Sequence, residues 1–142
     1  MAGMDRIAPH SQPLRDREHR LAEALKAARP SLRLAMLFGS VAEGRARPNS
    51  DVDIGLLDEG PLDVDAMIEV AGAASDATGR EVDIVDLHNV PQPITGYVLR
   101  GKRLLGSDEC FADLCTRHLI EREDFGRARE REVARRVAEW IR

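Results

Sequence analysis

The stretch from Leu37 to Leu57, LFGSVAEGRARPNSDVDIGLL, constrains the fold more than any other part of the chain. An apolar run breaks at Gly39-Ser40, passes through a small basic loop, and re-enters a second apolar run that carries Asp51 and Asp53 at alternate positions. Strand interiors usually exclude Asp, because a carboxylate without a partner is costly to bury. Residues two apart in a strand leave the same face, so Asp51 and Asp53 stand together while Val52, Ile54 and Leu56 face the other way. Strand rise alone puts the two about 6.6 Å apart at the backbone. Their repulsion is then about 2 to 3 kcal/mol at an effective dielectric of about 20. A divalent cation reverses the sign of that interaction, and Mg²⁺ is characteristically held by one or two carboxylates together with substrate phosphates.

The other end of the same loop suits those phosphates. Gly39 lets the backbone approach a ligand closely, and Ser40, opening a short turn from Val41 to Gly44, offers a hydroxyl and backbone N–H groups to an anion. Arg45 and Arg47 follow, and either can neutralise phosphate charge. A third carboxylate is needed to deprotonate a hydroxyl nucleophile or to complete a second metal site. Asp83, in EVDIVDL, repeats the anomaly of an acid inside an apolar strand, with Val85 and Leu87 on its own face. Asp86 competes for that role, but at the strand end an exposed, loop-facing Asp needs no special explanation.

Periodicity places these residues in a simple order. Leu14 to Arg29 reads as an amphipathic helix ended by Pro30, and Leu32 to Phe38 as a strand. Val52 to Leu57 is a second strand, closed by Asp58-Glu59-Gly60-Pro61. Leu62 to Thr78 has helical spacing with Gly79 as its C-cap, and Glu81 to Leu87 is a third strand. Ile94 to Leu99 is helical after Pro91 and Pro93, and Lys102 to Leu105 is a short extended piece. Asp108 to Arg142 is one long helix, or two that change direction near Gly126. The order predicts an α/β (α+β) layer, a small mixed sheet with helices on one face and a C-terminal helical extension.

Composition narrows the function. The 142 residues suffice for one domain with a real core, and the aromatic content of 4% makes that core aliphatic. A net charge of −4 argues against direct nucleic-acid binding through phosphate neutralisation. Cys110 and Cys115 read as incidental thiols in a reducing compartment, and His10, His19, His88 and His118 form no ligand spacing. No run is long and apolar enough for a membrane span or a secretory segment, so the expected location is cytoplasmic. The arginines of the last helical segment interleave with glutamates as on a salt-bridged exposed face, and Trp140 and Ile141 are what a partner could use.

Gly-Ser, ten residues, then Asp-x-Asp, with Asp83 downstream, resembles the minimal nucleotidyltransferases (MNT proteins) of the DNA polymerase β-like superfamily. The resemblance covers Leu32 to about Leu105, with Gly44 and Ser50 also in the family's places. It implies the polymerase β-like fold over residues 14–106, preceded by a disordered tail (1–13) and followed by a helical extension of the same domain (107–142). It implies that ATP binds with Mg²⁺, two ions, and that a hydroxyl attacks the α-phosphate to accept AMP while pyrophosphate leaves. By position, Asp51, Asp53 and Asp83 are the catalytic, metal-binding carboxylates, and Gly39, Ser40, Gly44, Arg47 and Ser50 bind the nucleotide. Val41 departs from the pattern, since many members carry a basic or larger polar residue there. The chain is too short for the acceptor-holding helical domain of aminoglycoside-modifying relatives, so a partner protein is expected to supply the acceptor. The family points to a HEPN-type RNase toxin encoded nearby, neutralised by adenylylation of a tyrosine within a hetero-oligomer. The alternatives are an antitoxin that works by binding alone, through the C-terminal helix, and a small-molecule nucleotidyltransferase.

Overall fold

The computed structural model describes residues 14–44, 50–124 and 127–141. Among these the element order is α1 (Leu14–Ala28), β1 (Leu34–Phe38), α2 (Gly39–Ala42), β2 (Val52–Leu57), α3 (Val64–Thr78), β3 (Val82–Asp86), α4 (Gln92–Leu99), β4 (Lys102–Gly106), α5 (Asp108–Asp124) and α6 (Arg127–Ile141). The strands form a sheet in the order β3-β2-β1-β4, with β1 antiparallel to both β2 and β4 and β2 parallel to β3. A parallel pair needs a crossover, and α3 supplies it. Asp63 caps α3 by accepting a hydrogen bond from the Ala66 N–H at 2.7 Å, and Gly79 ends it with φ +68°.

The expected fold class holds: a small mixed sheet with helices packed on it. Helix placement differs from the expectation in one respect, because helices cover both faces rather than one. Leu21 and Leu25 of α1 and Ala66, Val70 and Ala74 of α3 bury one face against Ala35, Leu37, Val52, Ile54 and Leu56. On the other, Ile94 and Val98 of α4, Cys110 and Leu114 of α5 and Val137 of α6 cover Leu34, Met36, Phe38, Leu57, Val85 and Leu87. The face of Asp53 is thus covered as well. Gly55, two residues on, opens it to α4: a Cβ there would stand 2.6 Å from Val98 Cγ1. The acids therefore occupy one end of a face that is otherwise core.

Helix boundaries follow the local signals closely. The turn expected at Val41–Gly44 is instead the four-residue α2 beginning at Gly39, and the C-terminal segment is two helices. The change of direction near Gly126 lies outside the described residues, as does the tail of residues 1–13. Cys110 and Cys115 are free thiols, as expected. Among the described residues no helix is long and apolar enough to cross a membrane.

At the end of β2, the enclosed Asp58 accepts a 2.9 Å hydrogen bond from Arg29 Nε, tying α1 to the sheet. Burial works to raise the Asp58 pKa, but hydrogen bonds from Ser31, Arg29 and the Glu59 N–H hold it below the usual carboxylate value. Among the described residues the buried Asp58 Oδ1 has no hydrogen-bond partner. His88 Nε2 lies 2.7 Å from the Asp58 carbonyl oxygen, which makes it a loop-pinning residue. Asp86 accepts from the Leu62 and His88 N–H groups at 2.9 and 3.0 Å, which fixes its role as structural.

Candidate active site

Strand register assembles the site. Asp53 is the cross-strand partner of Phe38 on its antiparallel side and of Asp83 on its parallel side. Adjacent strands lie about 4.8 Å apart, and partners in register share a face, so Asp53 and Asp83 are side-by-side neighbours. Asp51 precedes β2 and is exposed, as is Asp83, whereas Asp53 is half-buried. Burial, then the charges of Asp83 and Asp51, push the Asp53 carboxyl up to about 6. A carboxyl raised by desolvation and by two neighbouring carboxylates is a common mark of a functional site.

Gly39 completes the corner. Its φ of +79° is a conformation that residues with a Cβ rarely adopt, and a Cβ at this position would run into the Asp53 carboxylate. Phe38, at the N-cap position of α2, is extended and makes no side-chain cap hydrogen bond. The leading N–H groups of Gly39, Ser40 and Val41 have no acceptor within so short a helix, so they can meet an anion beside the carboxylates. Gly44, with φ +72°, turns the chain away after α2 and has open space around it. Ser50 stands directly before Asp51, and its carbonyl oxygen accepts a 3.1 Å hydrogen bond from Arg80 Nη1. Arg45 and Arg47 lie outside the described residues.

At Val41, where the sequence departs from the pattern, the partly buried side chain packs against the α1–α3 core. Sequence reasoning missed three contacts here. Arg80 pins the peptide before Asp51, Gly101 lets the α4–β4 turn sit against the Leu37 carbonyl, and Trp140 stacks on Phe38. Arg80 directly follows the Gly79 cap, and that position gives no cue to a partner thirty residues away. Trp140 and Ile141, read from sequence as residues a partner could use, also make contacts within the chain, on Phe38 and against the α4-side core, while Trp140 stays 47% exposed.

Among the described residues no three His, Cys, Asp or Glu side chains converge closely enough to encage a metal by themselves. The donor set still fits Mg²⁺, which takes one or two carboxylates and completes its shell with phosphates and water. The mutual charge that lifts Asp53 is what a divalent cation relieves. An open cavity of ≈ 690 Å³ lined by Lys26, Arg33, Gly106 and Cys110 lies at the opposite ends of β1 and β4, away from this chemistry.

Residues 20–110 match the family described as polymerase beta, nucleotidyltransferase. The chain is 36% identical over 99 residues to the protein adenylyltransferase MntA of Shewanella oneidensis, a span covering 67% of this chain and 71% of that protein. A toxin–antitoxin crystal structure with AMP-PNP superposes with a TM-score of 0.72 at 27% identity, covering 85% of this chain and 98% of that one. The complex of tri-AMPylated Shewanella oneidensis HEPN toxin with MNT antitoxin gives a TM-score of 0.68 at 24% identity, over 87% and 98% of the two chains, a likeness of fold. With the paired carboxylates and the glycine corner inside the matched residues, the chain belongs to the polymerase β nucleotidyltransferase family.

Proposed function

We propose that this nucleotidyltransferase is a Mg²⁺-dependent protein adenylyltransferase that moves AMP from ATP to a tyrosine hydroxyl of a cognate HEPN-type RNase toxin encoded nearby, and that it acts as the antitoxin in the cytoplasm. The observation that carries the reading is the register that sets Asp53 against Asp83 with Gly39 closed onto Asp53. The resemblance to an adenylyltransferase at 36% identity supports the reaction, and the toxin complexes among the structural relatives support the partner.

Asp51 and Asp53, with Asp83, would hold Mg²⁺, which supplies charge neutralisation for the triphosphate and the leaving pyrophosphate. The backbone N–H groups of the Gly39–Ser40 turn and the Ser40 hydroxyl bind the β- and γ-phosphates. Gly44, Arg47 and Ser50 complete the nucleotide's surroundings, with Arg80 holding the Ser50 carbonyl. Asp83 takes the proton of the acceptor hydroxyl as its oxygen bonds to the α-phosphorus. The bond from that phosphorus to the oxygen bridging to the β-phosphate breaks, and pyrophosphate departs. Chemistry of this kind is mostly positioning and charge stabilisation, so a compact corner of three strands suffices.

Purified protein, Mg²⁺, ATP labelled in the α-phosphate and the neighbouring toxin provide the test. Label should appear on the toxin with one pyrophosphate released per transfer, and Asp83→Asn should stop transfer while nucleotide binding survives. Pyrophosphate release without labelled toxin would overturn the assigned acceptor. Full transfer by Asp83→Asn would overturn its role as proton acceptor.

A further inference from the structure

Trp140 is the chain's sole tryptophan, and its ring lies nearly parallel to that of Phe38, with centroids 6.4 Å apart and planes at 11°. Phe38 is 1% exposed, is bonded to Gly39, and stands directly opposite Asp53 on β2. Antiparallel partners project to the same face, so the Phe38 ring is the lateral neighbour of the Asp53 carboxyl and Trp140 forms the layer above it. Val137, nearly one turn earlier in α6, is 1% exposed in the same core, which anchors the helix that carries Trp140.

The pivot under this stack lies where the β1 ladder ends, with Phe38 the last residue of the strand. Backbone direction switches at Phe38-Gly39, from extended to a glycine at φ +79°, without a side-chain cap and into a helix of four residues. The Phe38 end of the switch is held by its pairing with β2 and by the packing of its ring, to which Trp140 contributes. Aromatic pairs in offset-stacked geometry contribute about 0.5 to 1.5 kcal/mol beyond area burial and hold a defined mutual orientation.

We propose that Trp140 is a positioning residue for nucleotide binding: by clamping Phe38 it fixes the pivot from which Gly39 and Ser40 present their N–H groups beside Asp53. On this account α6 supports the nucleotide site from behind Phe38. The inference rests on the nucleotidyltransferase reading and deepens it by assigning a role to the C-terminal helix.

The test is calorimetric titration of the full chain with Mg²⁺ and AMP-PNP, with ATP kinetics beside it. Because misplacing a positioned group by 1 Å can cost up to about a hundredfold, Trp140→Ala should weaken nucleotide binding about tenfold. KM for ATP should rise by the same factor with a smaller change in kcat. Trp140→Phe, which retains a stacking ring, should bind within about threefold of wild type. Leu119→Ala, an exposed position on α5, should leave binding unchanged. If Trp140→Ala fails to melt cooperatively, Trp140→Leu takes its place as the ring-less variant. A folded ring-less variant with wild-type affinity, or Trp140→Phe as weak as the ring-less variant, would overturn the proposal alone. A wild-type chain that does not bind Mg²⁺ and AMP-PNP would overturn the nucleotidyltransferase reading and the proposal together.

Discussion

Replacing Asp53 by asparagine should stabilise the metal-free protein while abolishing transfer. Asp53 sits half-buried between Phe38 and Asp83, and burial, Asp83 and Asp51 together hold its carboxyl at about 6 against an ordinary 3.8. At about 1.36 kcal/mol per pH unit, keeping that group ionised in the fold costs about 3 kcal/mol before solvent is considered. Solvent reaches much of the carboxylate, and screening cuts the figure to about 1 kcal/mol. The sign follows from proton counts. Below about pH 4 folded and unfolded chains both carry the proton and the penalty is absent. Between about 4 and 6 the folded chain holds a proton that the unfolded chain has released, so stability falls as pH rises, and the penalty is complete above the folded value of about 6. In a chelating buffer at about pH 8, Asp53→Asn should therefore melt about 3 °C above wild type. At about pH 4.5 most of that gain should vanish, because wild-type Asp53 is already neutral there. A mutant that melts below wild type at the higher pH, or that gains equally at both, would refute the argument that the site stores charge repulsion.

Three further predictions concern packing and pairing. Gly39→Ala forces a left-handed conformation on a residue with a Cβ, costing about 1–2 kcal/mol, and pushes on Asp53. Its melting temperature should fall, and an ATP-binding titration should show affinity largely lost. Gly55→Ala drives a methyl into Val98 and should cost about 1–3 kcal/mol in a denaturant melt through displacement of α4, well away from the nucleotide turn. Asp58 is held below its ordinary value, so its contribution to stability is full above the unfolded carboxyl value and is lost as pH falls through the folded one. Asp58→Asn should lower the melting temperature at neutral pH and narrow its gap to wild type in acid.

The carboxylate corner was legible in the sequence because its logic is local. Alternation fixes the shared face of Asp51 and Asp53, and three short strands with one intervening helix leave few ways to set β3 beside β2. Once the two are parallel and in register, Asp83 meets Asp53. Asp86 could likewise be set aside from its place at the strand end, and it proved to hold the N–H groups of Leu62 and His88. The second covered face was not legible, because nothing in the sequence pairs Gly55 with Val98, whose side chain occupies its space. Trp140 on Phe38 and Arg80 on Ser50 are contacts between distant parts of the chain, and periodicity carries no information about such pairs. Val41 looked like a missing charge and is a core contact, a distinction that depends on which way α2 turns.

The most direct test of the account is the intact mass of the proposed HEPN-type toxin partner after co-expression with the wild type and with Asp51→Asn. Whole increments of AMP on the toxin beside the wild type, absent beside the mutant, are the predicted result. An unmodified toxin that co-purifies equally with both forms would contradict it, and would mean that this nucleotidyltransferase fold neutralises its partner by contact alone.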